Sequence, residues 1–206
     1  MQECLLYWRL GYTMDEDSFV NRRIRYITKG PAHVFIHGYK AINGTAAEDF
    51  YFESIWTKDP ATGKTGVRGP IPLSNVIDWR AADPDNRTIE YQPKDGYLPL
   101  TQDEAWDAWH RLNQAVRTVK YAPLQLVQNW MARRLGIYIH KGIGSTSKWT
   151  CSETPLRAGV IPARWWDIFN MLSLRADDMW PGGVGYQSLH AGVARVIAKH
   201  GTIENT

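Results

Sequence analysis

Apolar positions over the first hundred residues come in short runs bounded by turn formers; beyond that they recur every three or four residues. "CLLYWRLGY" (4–12) has the composition of a strand. "AHVFIHG" (32–38) is rich in β-branched and aromatic residues and ends in glycine, which predicts a second strand. Asn43–Gly44, within "INGTAAED", is a hairpin signal because both residues tolerate positive φ. "FYFESIW" (50–56) is then the return strand. "KDPATGKTG" reads as a loop, "VRGPIPLSNVIDWRA" as an extended segment broken by prolines, and "RTIEYQP" (87–93) as another short strand. Between the first two strands, "MDEDSF" (14–19) carries helix-start signals. "RRIRYITKG" continues as a short helix or extended piece to Gly30–Pro31.

The period changes at Thr101. Thr101 and Glu104 have the T-x-x-E spacing of a capping box, and Ala105, Trp109, Leu112 and Val116 follow at helical spacing. A second helix is expected through "APLQLVQNWMARRLG", with Pro123 in its first turn and Gly136 at its end. "GIYIHKGIGSTSK" reads as strand or loop. "CSETPLRAG" allows one or two helical turns, since Pro155 is tolerated near a helix start. "PARWWDIFNMLSLRADD" is open between helix and loop, and "YQSLHAGVARVIAKHG" reads as a final helix. Strands precede helices with no compositional break. The expectation is one α+β domain over residues 1–206, an antiparallel sheet packed against helices.

Composition narrows the function classes. The chain has 206 residues, 44% of them hydrophobic, enough for a real core. Its net charge of +3 is scattered. The densest basic stretch, "VNRRIRYITK" (20–29), reads as a solvated face, so no nucleic-acid partner is expected. No segment approaches the roughly 18 apolar residues of a membrane span. The start, "MQECLLYWRLGY", lacks the basic and apolar regions of a secretory leader, so the protein is expected to be made in the cytoplasm. Trp106 and Trp109, and the adjacent Trp165 and Trp166, fit core packing. Ten tryptophans in all also permit a carbohydrate-facing or partner-facing surface.

The candidate chemistry centres on two cysteines. Cys4 lies in an apolar run and reads as a core residue. Cys151 follows a glycine-rich loop and precedes a helix start, where partial positive charge and free N–H groups stabilise a thiolate or an acyl oxyanion. Locally it is either a structural thiol or a nucleophile; a histidine must decide. His110 lies in a charged helix, His200 is near the C-terminus, His190 is on the last helix, and His140 is a reserve candidate close to Cys151. His33 and His37 share a face of one strand about 13 Å apart, too far to bind one metal. No cofactor is expected.

"GPAHVFI" (30–36) resembles the histidine strand of papain-like NlpC-type cysteine hydrolases. A circularly permuted branch of that family places the histidine strand first and the cysteine last, as "CSE". This chain has His33 early and "WTCSE" (149–153) late. "RRIRYITKGPAHV" (22–34) is similar to that branch's lead-in. "YFESIWTKDPATGKTGVRG" (51–69) is similar to its next strand, an acidic residue followed by a loop. "VKYAPLQLVQNW" (119–130) is similar to its tyrosine-bearing helix start. The resemblance implies Cys151 as nucleophile, His33 as general base and Glu53 as orienter; on the residues alone Glu53 could instead face solvent, and Glu48 or Asp49 could take its place. Tyr121 would support the oxyanion or the substrate. Glu153 would cap the helix or pair with a base. Thr154–Pro155 replace the family's apolar continuation and predict a short or kinked helix.

The implied activity is that of a cysteine amidase or peptidase acting on a peptide or acyl-amide substrate through a thioester. Peptidoglycan peptide is the best single substrate. Hydrolases of this type occur in phage and phage-like particles. The competing expectation is therefore a non-catalytic structural or adaptor module of such a particle, with virion or tail assembly partners. An acyltransferase would need the same Cys–His pair.

Overall fold

The computed structural model describes residues 4–13, 22, 33–59, 61–72, 88–91, 98, 100–123, 147–151 and 153–162. Five strands make one sheet: β1 (Cys4–Thr13), β2 (His33–Ile42), β3 (Thr45–Ile55), β4 (Gly66–Pro72) and β5 (Thr88–Tyr91). Their order is β4-β3-β2-β1-β5, and every pairing is antiparallel. Helix α1 (Gln102–Thr118) follows, then a two-stranded parallel pair, β6 (Lys120–Tyr121) and β7 (Lys148–Trp149), and the short helix α2 (Glu153–Ala158). The architecture is the expected mix of antiparallel sheet and helices.

β2 and β3 meet through Asn43 and Gly44, with φ of 50° and 74°. Two positive φ values in a two-residue loop define the turn that matches strand twist, and glycine adopts them without a Cβ penalty. Pairing starts at once, Ile42 against Thr45, so the return strand begins at Thr45 rather than at 50. Exposed Thr45, Glu48 and Asp49 hid that early half from a reading based on apolar runs.

Alternation along the strands sends Leu6, Trp8, Leu10, Val34, Ile36, Phe50 and Phe52 to one face, where α1 covers them with Ala105, Ala108 and Leu112. Burying each of Leu6, Leu10, Ile36 and Phe52 contributes about 1.5–3 kcal/mol. The helix is held in place by polar contacts as well. Trp8 Nε1 donates to the Ala105 carbonyl at 3.0 Å. The Gln102 side chain accepts from Leu6 N at 2.8 Å and donates to Leu6 O at 3.1 Å. Small alanines at 105, 108 and 115, rather than Trp109 and Val116, fill the deepest positions of the helix. Trp109 and Trp106 pack at the margin, Trp109 edge-on to Phe50 at 5.0 Å.

Several expected segments lie outside the described residues: 14–19, 23–31, the helix beyond Pro123, the stretch beyond Pro162, and the final helix. No helix among the described residues is long and apolar enough to cross a membrane.

Candidate active site

His33 and Glu53 stand on the opposite face of the sheet. His33 opens β2, and the register sets its neighbour-but-one, Phe35, against Glu53 of β3. Residues 33, 35 and 53 therefore share a face. His33 Nε2 donates to Glu53 Oε2 at 2.6 Å, which leaves Nδ1 for a second partner. The other carboxylate oxygen, Glu53 Oε1, accepts from Arg68 Nε at 2.8 Å and from Arg68 Nη2. Arg68 Nη1 in turn reaches Asp59 Oδ1 at 3.4 Å. Asp59 is fixed within its own loop. Its backbone N–H donates to Lys64 O at 2.9 Å, its carbonyl accepts from Gly63 N at 2.7 Å, and its carboxylate accepts from Thr62 Oγ1 at 2.9 Å.

The cysteine arrives from the other end of the chain. Parallel pairing sets Tyr121 beside Trp149. The Trp149 carbonyl accepts from Ala122 N at 3.3 Å and from buried Ser54 Oγ at 3.1 Å, tying β3 to the segment just before Cys151. Thr150 and Glu153 then form a reciprocal cap. Thr150 N donates to Glu153 Oε2 at 2.7 Å, and Glu153 N donates to Thr150 Oγ1 at 3.3 Å. Thr154 N bonds the Thr150 carbonyl at 3.2 Å, so Cys151 sits in the first turn. Arg157 donates to Glu153 Oε1 from Nε at 3.2 Å and Nη2 at 3.1 Å. The helix spans six residues, short as Pro155 predicted.

Cys151 is 2% exposed, and its thiol lies close enough to the His33 ring and the Tyr121 hydroxyl to shift the pKa of both. The electrostatics follow from that packing. Burial pulls the His33 pKa down, but hydrogen bonds and charge from Cys151 and Glu53 outweigh it and raise the pKa to about 10. Burial pushes Glu53 up, yet His33 and Arg68 together hold its carboxyl below the usual range. Burial, with Cys151 alongside, raises the Tyr121 phenol well above its ordinary value. Burial also raises Glu153, despite the bonds it accepts from Thr150 and Arg157.

Four residues singled out by the sequence thus meet: Cys151, His33, Glu53 and Tyr121. Tyr121 does so from strand β6 rather than from a helix start. The alternative carboxylates are engaged elsewhere, Asp49 with His37 Nε2 at 2.7 Å and Glu48 with Lys40 at 2.8 Å. Glu153 both caps and pairs, as the two expectations had it. Cys4 is only half-buried, and both cysteines are free. His110 is exposed on α1, and His140, His190 and His200 lie outside the described residues.

Arg68, Asp59, Ser54 and Thr150 were not read from the sequence. Thr150 was legible: T-x-x-E recurs at 150–153 just as at 101–104. Arg68 stands near the end of the 51–69 stretch that carries Glu53, but nothing local marks it as a partner. Comparison of the chain with family models, with curated proteins and with solved structures finds no match in any of the three.

Proposed function

We propose that this chain is a cysteine hydrolase with a papain-like site in circularly permuted order, His33 before Cys151. It would cleave an amide or related acyl bond, with a cell-wall peptide as the favoured substrate. The observation that carries this reading is the set Tyr121–Cys151–His33–Glu53, brought together from separate parts of the chain, with His33 bonded to Glu53 at 2.6 Å and Cys151 electrostatically coupled to both His33 and Tyr121. A structural thiol needs no such arrangement.

In this reading the proton that Cys151 gives up rests on His33 Nδ1 at neutral pH, while Glu53 holds Nε2 and stabilises the imidazolium. The thiolate adds to the substrate carbonyl. The oxyanion that forms is met by the Tyr121 hydroxyl, whose raised pKa keeps it a proton donor at neutral pH. Collapse of the adduct breaks the C–N bond, and His33 gives its proton to the departing amine. The acyl group then rests on sulfur as a thioester. Water enters, loses a proton to His33, attacks the thioester, and releases the carboxylic acid with the thiol restored. An amine in place of water would make the same site an acyltransferase, a distinction that product analysis makes.

The reading predicts that iodoacetamide near pH 7 alkylates Cys151 faster than Cys4, followed by peptide mapping. His33→Ala should slow Cys151 by about 10- to 30-fold, because an ordinary thiol is only about 3% thiolate at pH 7. Incubation with peptidoglycan fragments should release new amino groups, and Cys151→Ala should abolish that release. A folded protein whose Cys151 reacts no faster than Cys4 would sink the proposal and favour a non-catalytic particle component.

A further inference from the structure

We infer that Arg68 is a positioning residue of this site: placed by a bulge in β4 and braced by Asp59, it holds Glu53 in the orientation that His33 requires. The inference rests on the hydrolase reading above. It begins with register. Tyr51 pairs with Ile71, but Glu53 pairs with Arg68, so Gly69 and Pro70 together oppose Phe52 alone. Without that extra residue Gly69 would face Glu53, and Arg68 would point to the helix-covered side. Gly69 suits the bulge for two reasons. Its φ is +133°, and a Cβ there would stand 2.5 Å from the Phe52 ring.

The bulge thus brings a guanidinium directly across from a carboxylate that also serves a histidine. Glu53 is nearly buried, and its two oxygens are divided between the partners: Oε2 to His33, Oε1 to two nitrogens of Arg68. A carboxylate with one oxygen unheld can turn about its last bond and leave the imidazole. Two donors from one planar group on Oε1 remove that freedom, and the cation keeps Glu53 ionised despite its burial. Asp59 does for Arg68 what Arg68 does for Glu53. It accepts from the third guanidinium nitrogen, from a loop that its own hydrogen bonds close. Arg68 acts through Glu53 and need not touch the substrate.

The sign of one measurement separates this role from simple charge. Removing a cation near His33 would, with Glu53 in place, raise the His33 pKa. Removing the brace that keeps Glu53 in place would lower it toward the ordinary value. NMR titration of the His33 ring, identified by its absence in His33→Ala, should show a lower midpoint in Arg68→Gln than in wild type. Arg68→Lys should fall between them. Cys151 alkylation should slow by about 10- to 100-fold in Arg68→Gln, the scale of a misplaced catalytic group. In a Glu53→Ala background the same substitution should change the rate no further.

A raised or unmoved midpoint, or an equal slowing in the Glu53→Ala background, would overturn the role. If Glu53→Ala slows alkylation while Arg68→Gln does not, the positioning role fails and the hydrolase reading stands. If wild-type Cys151 is itself unreactive, both fail. Thermal melts of each variant verify folding, and Arg68→Lys supplies a second, milder probe where Arg68→Gln does not fold.

Discussion

At the scale of single residues, His33, set between Cys151 and Glu53, makes stability depend on pH in a defined sense. The folded state raises the His33 pKa from 6.5 to about 10. Below about 6.5 both folded and unfolded chains carry the proton, and the stabilising contribution is whole. As pH rises from there, the unfolded chain loses its proton while the folded chain keeps it. The contribution therefore shrinks and is gone above about 10. Glu53 runs the other way. Its folded pKa lies below 4.5, so its contribution is present above that value and fades as the pH falls through the folded pKa. The melting-temperature gap between wild type and His33→Ala should accordingly be wide at pH 6 and narrow steadily toward pH 10. Calorimetry over that range tests it, and a gap independent of pH would show that His33 contributes through packing alone.

At the scale of elements, two capping boxes of identical spacing do different work. Thr101 and Glu104 start α1, the helix that covers the core, and lie at the surface. Thr150 and Glu153 are buried and shape the turn that presents Cys151. Replacing either threonine by alanine should cost about 0.5–2 kcal/mol, with Thr150 toward the upper end because its loss strands a buried N–H. The two should part in reactivity. Thr150→Ala should slow Cys151 alkylation, whereas Thr101→Ala should leave it unchanged. Urea titrations with alkylation rates on the same samples decide the matter, and equal rates in the two variants would contradict a presenting role for the turn. The contrast also explains what was legible. The first box announces itself through the long apolar period that follows it. The second precedes a helix of six residues interrupted by Pro155, where no period can form. Asn43–Gly44 was legible for a related reason, since its φ demands are local and belong to those two residue types.

At the scale of the whole molecule, the sheet and the helix after Thr101 were legible through local signatures, and the four candidate site residues through the order of short motifs that resemble a family's. What connects them has none. Arg68 faces Glu53 only through a one-residue shift in β4, and Ser54 reaches Trp149 across 95 positions of sequence. The parallel pairing of β6 with β7 joins two strands of two residues each, too short to carry a period of their own. These non-local contacts make the site a property of the assembled fold. Cys151 hangs from the Trp149 carbonyl, which Ser54 and Ala122 hold, while His33 and Glu53 belong to the central strands β2 and β3 that pack on Trp8 and Phe52. Fast alkylation of Cys151 in urea should then disappear along the same curve as tryptophan fluorescence, because neither half of the site can leave without opening the core. Ser54→Ala removes one donor from that carbonyl and should cost about 1 kcal/mol. It should also let the cysteine segment open first, so that fast alkylation fades at lower urea than the fluorescence change. Two separate curves in wild type would mean that the Cys151 segment opens independently of the sheet. Coincident curves in Ser54→Ala would mean that Ser54 is not the tether that prevents it.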